Sequence, residues 1–207
     1  MGEIIWLGHA SFKLDLSKKI YFDPYNIKTV SKDGDLIFVS HTHFDHYSEK
    51  DIKKVAKDGA VLIVPCDVKN FPGLEVKNVK PGDIFEIENI KIEVVPAYNK
   101  NKTFHPKANN WVGYVVEADA KRYYHAGDTD FIDEMKNLKN IDFAFLPVSG
   151  TYVMTADEAA QAAKVINPKT AIPMHWGAGI VGDISDAQKF QSLLENSPIK
   201  VEILSPS

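Results

Sequence analysis

The stretch that decides the reading is Leu36-Ile37-Phe38-Val39-Ser40 followed directly by His41-Thr42-His43-Phe44-Asp45-His46. The first five residues form a short continuous apolar run, the pattern of a strand buried on both faces. The next six hold three imidazoles and a carboxylate. A rigid strand fixes where such a loop starts, and the loop can turn its side chains inward. Residues two apart in extended chain face the same side, so His41 and His43 reach one cation together and Asp45 continues that face. His46 breaks the alternation. A turn into a helix at Ser48 lets Asp45 and His46 serve a second cation beside the first. Imidazole with carboxylate suits zinc first, and also manganese or iron.

Two cations need more donors than one loop supplies. Asp128 follows the expected strand Arg122–His125, and its two oxygens can bridge two metals. His175 follows the expected strand Thr170–Pro173, and His105 lies in the loop between Val95 and Trp111. His9 and His125 read as structural, because an extra ligand at either place overfills a four- to five-coordinate site.

Around these residues the chain alternates short β-rich runs with turn signals. Strands are expected at Glu3–Leu7, Ala10–Leu16, Lys19–Phe22, Leu36–Ser40, Ala60–Val64, Asp83–Glu88, Ile90–Val95, Val112–Glu117, Arg122–His125, Ile141–Leu146, Thr170–Pro173 and Ile199–Leu204. Helices are expected at Ser48–Asp58, at Asp130–Leu138, at Ala156–Ile166 with a Thr155/Glu158 capping box, and from Ser185, paired with Gln188, to about Asn196. Two β-rich runs, each followed by helices, suggest a single domain over residues 1–207. The expected architecture is a four-layer αββα sandwich of two mixed sheets with helices on the outer faces.

Composition narrows the function. The chain has 207 residues and one cysteine, so no internal disulfide forms. No apolar run approaches the roughly 18–20 residues of a membrane helix, and MGEIIWLGHASF lacks a basic leader, so a cytoplasmic setting is expected. The net charge of −4 argues against a nucleic-acid partner. Of 24 basic residues only Arg122 is an arginine, which removes the usual bidentate anion clamp. Lys100, Lys102 and Lys107 crowd the His105 loop and point to a small, anionic substrate. Oligomeric state is not readable from the sequence.

The motifs His41–His46, Gly127-Asp128-Thr129 and Met174-His175 resemble those of the metallo-β-lactamase superfamily. Leu7-Gly8-His9-Ala10-Ser11-Phe12, Phe22-Asp23-Pro24, Tyr124–Thr129 and Leu146-Pro147-Val148 look most like the compact metal-dependent hydrolases related to L-ascorbate-6-phosphate lactonase. The resemblance covers most of the chain. It implies a dinuclear centre with His41, His43 and one residue of the 96–105 loop on the first metal. Asp45, His46 and His175 would hold the second, and Asp128 would bridge. The family places its third histidine in a PA-x-H phrase, where this chain has Pro96-Ala97-Tyr98-Asn99. His105 is therefore the expected ligand, with Asn99 a substrate or supporting contact.

Related branches fit less well. Class B1 β-lactamases carry cysteine where Asp128 stands, and flavodiiron proteins carry glutamate where His43 stands. With 32 residues after His175, the helical extension of glyoxalase II is not expected, nor is the β-CASP insertion. The implied activity is hydrolysis of an ester-type bond: a phosphodiester, a lactone or a carboxylic ester. Asp45 would steer the attacking water or accept its proton. Tyr152 is a candidate hydrogen-bond donor to substrate, and Asp23 a candidate acceptor behind a ligand histidine. A metal-bearing regulatory module with little turnover and a diiron redox protein are the rival readings.

Overall fold

The computed structural model describes residues 2–207. Six strands form the first sheet in sequence order: β1 (Glu3–Gly8), β2 (Ser11–Asp15), β3 (Lys19–Phe22), β4 (Gly34–Phe38), β5 (Ala56–Pro65) and β6 (Glu75–Val79). The strands β1 to β3 pair antiparallel, and β3 to β6 pair parallel. Seven strands form the second: β7 (Ile84–Ile87), β8 (Ile90–Pro96), β9 (Val112–Ala118), β10 (Lys121–His125), β11 (Phe143–Pro147), β12 (Thr170–Met174) and β13 (Lys200–Val201). Its order is β13-β12-β11-β10-β9-β8-β7, antiparallel from β7 to β10 and parallel from β10 to β13.

The alternation along β4 explains why the sheets stack. Leu36 and Phe38 face the second sheet, and with Phe22 and Ile63 of the first sheet they meet Tyr114, Tyr124 and Phe145 of the second in one core. Ile37 and Val39 face the other way and pack with Leu62 and Val64 against α1 (Glu49–Val55), through Ile52 and Val55. The run is thus buried on both faces. The helices α2 (Ala156–Ile166) and α3 (Ile184–Leu194) pack on β11 and β12, outside the second sheet. The Tyr114 hydroxyl donates to the Val39 carbonyl at 2.7 Å and ties the two sheets across the core. The fold is the four-layer αββα sandwich. No helix among the described residues is long and apolar enough to cross a membrane.

Several elements differ from the sequence reading. The segment Asp130–Leu138 forms only a 3-10 turn at Asp133–Asn137. Asp130, the expected helix start, spends its carboxylate on the Lys100 amide N–H and the Asn99 amide, so no side chain caps a longer helix. The edge strand β6 was not anticipated, because Glu75–Val79 is short, half polar and flanked by Pro72-Gly73 and Pro81-Gly82. The cap of α3 is Asp183 with Asp186, two residues earlier than Ser185 with Gln188. A carboxylate accepting the Ser185 amide at 2.7 Å is the stronger charge-assisted partner. The last strand is confined to Lys200–Val201, and α1 ends at Val55 because the chain turns at once into β5.

Candidate metal centre

The site lies where the central strands end. Past β4, Val39 still donates to Ile63, but the chain then leaves the ladder and turns so that His46 and Tyr47 donate back to the His43 carbonyl. That turn brings His41 and His43 into one group of donors and Asp45 and His46 into a second beside it. Past β10, Gly127 delivers Asp128. Its φ is +62°, and a Cβ there would lie 2.7 Å from the Val112 carbonyl oxygen and 3.0 Å from Ser40 Cβ. Only glycine satisfies both the conformation and the close approach. Past β12 comes His175, held in the left-handed region at φ +60°. Its amide donates to the His9 carbonyl at 3.0 Å, and His9 is itself left-handed at φ +53°. Non-glycine residues held this way cost about 1–3 kcal/mol each and persist where the surroundings over-determine them.

The donor atoms converge. His43 Nδ1 lies 3.0 Å from His41 Nε2 and 3.2 Å from His105 Nε2. Asp128 Oδ2 lies 3.0 Å from His175 Nε2, 3.2 Å from His105 Nε2 and 3.8 Å from His41 Nε2. Its Oδ1 lies 3.3 Å from His46 Nε2, which is 3.8 Å from Asp45 Oδ2. Tetrahedral ligands on a cation at 2.0–2.1 Å sit about 3.3–3.5 Å apart, and these separations bracket that value. The cluster resolves into His41–His43–His105 on one side and Asp45–His46–His175 on the other, with Asp128 touching both.

Hydrogen bonds account for only part of this cluster. His46 Nε2, His175 Nε2 and Asp128 Oδ1 are fully buried, yet each lacks an aligned hydrogen-bond partner. Buried polar atoms in folded proteins are almost always paired. Buried imidazole nitrogens and a carboxylate oxygen left unpartnered and close together are the donors a cation requires. The donor set therefore fits divalent metal.

Behind the donors, each imidazole that presents Nε2 is held through Nδ1. The pairs are His46 with Asp23 Oδ2 at 2.7 Å, His41 with Ser40 Oγ at 3.0 Å, His175 with Ser149 Oγ at 2.9 Å and His105 with Asn99 Oδ1 at 3.0 Å. Such partners fix tautomer and ring orientation. Asp23 serves two ligands at once, because it also accepts the Ser40 hydroxyl at 2.6 Å and the Ser40 amide at 2.7 Å.

Electrostatics follow burial and charge. Burial pushes His41 well below the ordinary imidazole value and lowers His43, which keeps both neutral and available as ligands. His46 is also pushed down by burial, but Asp128 and Asp23 outweigh this and raise it well above the ordinary value. Burial raises Asp45, but the hydrogen bond from His9 and the charge of His46 prevail and hold it at about 2.

Each residue expected from the sequence has a defined place. His41, His43, Asp45, His46, His105, Asp128 and His175 are brought together. Asn99 takes the supporting place behind His105. Its oxygen accepts the His105 amide and ring, and its nitrogen donates to Asp130 and the Tyr152 carbonyl, so its polar capacity is spent within the fold. Tyr152 lines the adjoining cavity. His125 donates from Nε2 to the Ala10 carbonyl and accepts the Gly127 amide at Nδ1, which steadies the loop before Asp128.

His9 is the surprise. Its Nε2 lies 3.0 Å from Asp45 Oδ2, and it falls in one cluster with Asp45, His46 and His175. Burial lowers it to about 4, so it donates as a neutral ring. The sequence reading set it aside as structural because an extra ligand would overfill the site, and its contact with Asp45 forms only on folding.

Comparison with known proteins shows what the chain is similar to as a whole. A family profile described as Beta-lactamase superfamily domain matches residues 3–175. A UPF0173 metal-dependent hydrolase of Pyrococcus abyssi is 34% identical, over all of this chain and 97% of its own. The crystal structure of a protein described as a metal-dependent hydrolase from Parabacteroides distasonis is 32% identical. It superposes with a TM-score of 0.82 over 98% of this chain and 97% of that one. A metallo hydrolase from Ignicoccus hospitalis, 24% identical, superposes at 0.79 over 100% and 96% and supports the fold.

Proposed function

The chain belongs to the Beta-lactamase superfamily domain family and is a metal-dependent hydrolase; from that premise we propose that its centre is dinuclear and cleaves an ester-type bond. The first metal would be held by His41, His43 and His105, the second by Asp45, His46 and His175, with Asp128 between them. Zinc suits this donor set, and manganese or iron fits the same ligands. When bound, the pair supplies acidified water near neutral pH and polarises the bond under attack.

The chain's own residues do the rest. Asp45 Oδ2 accepts from His9, and no protein donor reaches Oδ1 among the described residues. That oxygen is free to orient the attacking water or take its proton. Asp23, Ser40, Asn99 and Ser149 keep four imidazoles in register. Tyr152 stands at the cavity wall, where its hydroxyl can donate to a substrate oxygen.

One observation carries this reading: buried imidazole and carboxylate atoms lie at ligand spacing without hydrogen-bond alignment. Purified protein loaded with zinc or manganese is expected to hydrolyse at least one of bis-p-nitrophenyl phosphate, a lactone and a carboxylic ester. Bound metal without turnover across that panel overturns the ester assignment.

A further inference from the structure

Next to the centre lies a cavity of about 290 Å³, bounded by cage residues and by Phe44, Phe104, Tyr152 and Ile180. We propose that this cavity binds an uncharged apolar group, a short acyl chain or an aryl ring, attached to the bond that is cleaved. The assignment rests on the reading above that the centre binds metal and hydrolyses a bond beside this cavity.

Three observations carry it. Phe44 is 69% exposed and Phe104 45%, and they are the only aromatics among the exposed large hydrophobics of the described residues. Both line this one cavity. Each is also fixed beside a donor, Phe44 between His43 and Asp45 and Phe104 directly before His105. Large apolar side chains left in water beside a polar centre mark a ligand surface rather than a packing defect.

The rings are held ready. Tyr152 meets Phe104 edge-on, with centroids 4.7 Å apart and planes at 88°. Tyr25 meets Phe44 edge-on at 6.0 Å. Little ordering is then required when an apolar group enters.

The wall adds no side-chain cation to the charge of the proposed metals. No lysine or arginine lines the cavity. The lysines expected to attract an anion are engaged elsewhere. Lys102 pairs with Asp130 at 2.5 Å, Lys107 with Glu134 at 2.9 Å, and Lys100 Nζ reaches the Phe131 carbonyl at 3.4 Å.

The test uses hydroxamates, which bind metal without being turned over. Acetohydroxamate, hexanohydroxamate and the anionic glutaric monohydroxamate are titrated into the metal-loaded protein by calorimetry. Affinity is expected to rise by up to about fourfold per methylene, with hexanohydroxamate tightest. In Phe44→Ala and Phe104→Ala the gain per methylene shrinks while metal content stays at the wild-type level. Glutaric monohydroxamate binding as tightly as hexanohydroxamate, or no dependence on chain length, overturns the proposal. If the order holds but every ester is inert, the cavity assignment stands and the ester reading falls.

Discussion

Asp128 and Asp142 are both buried carboxylates of the second sheet, at opposite ends of its parallel strands. Asp142 precedes β11. Its oxygens accept the Arg122 amide at 2.9 Å and Lys169 Nζ at 2.7 Å. Its backbone also bonds to Arg122 and Thr170. Every capacity ends on the protein, and the result is a joint between β10, β11 and β12. Asp128 follows β10, faces four imidazole nitrogens within 3.8 Å, and leaves Oδ1 without an aligned partner. The same chemical group is thus satisfied within the protein at one end and, in the proposed centre, would serve as a metal ligand at the other. Satisfaction of hydrogen bonds, rather than burial, separates the two roles.

The contrast breaks most visibly at Asp128. Asp128→Ala is expected to drop metal content to one per chain or less and turnover by roughly 10⁴-fold, the scale of removing an essential catalytic group. Circular dichroism should still report a folded sheet. Wild-type turnover in this variant would make Asp128 a structural residue like Asp142.

A smaller effect separates ligand from support. His105→Ala is expected to lose the first metal. Asn99→Ala should retain both sites with metal affinity weakened about 10–100-fold, because it only holds the His105 ring. Equal metal loss in both variants, read by competitive chelator titration, would reverse that division.

The smallest effect on activity belongs to Asp142. Asp142→Ala is expected to cost about 1–3 kcal/mol, roughly 3–10 °C in Tm for a chain of this size, with metal content unchanged. Burial raises this carboxyl, but Lys169 and the Arg122 amide outweigh it and hold it below the usual range. The unfolded carboxyl therefore takes a proton first as pH falls. The stabilisation is complete above about pH 4 and is lost as pH drops through the folded value. Urea unfolding of wild type and Asp142→Asn between pH 7 and 3 should show the difference shrinking only below that point.

What was legible in the sequence follows the same divide between local and long-range physics. The helix Ala156–Ile166 and its Thr155/Glu158 capping box match the sequence reading to the residue, because both depend on neighbours three or four positions apart. The buried run at Leu36–Val39 was readable from its lack of alternation. The edge strand β6 and the absent helix at Asp130 were not, because pairing with β5 and the pull of Asn99 and Lys100 come from distant chain. In the site, dense local motifs exposed His41 to His46. Ser149 behind His175 and His9 against Asp45 meet their partners only after folding, across 26 and 36 residues of separation.

The most direct test of the cage is its stoichiometry. Protein loaded with zinc or manganese, freed of excess ion and measured by elemental analysis against quantitative amino-acid analysis, should carry about two metal ions per chain. One ion per chain or fewer, in protein that remains folded, would contradict the dinuclear centre.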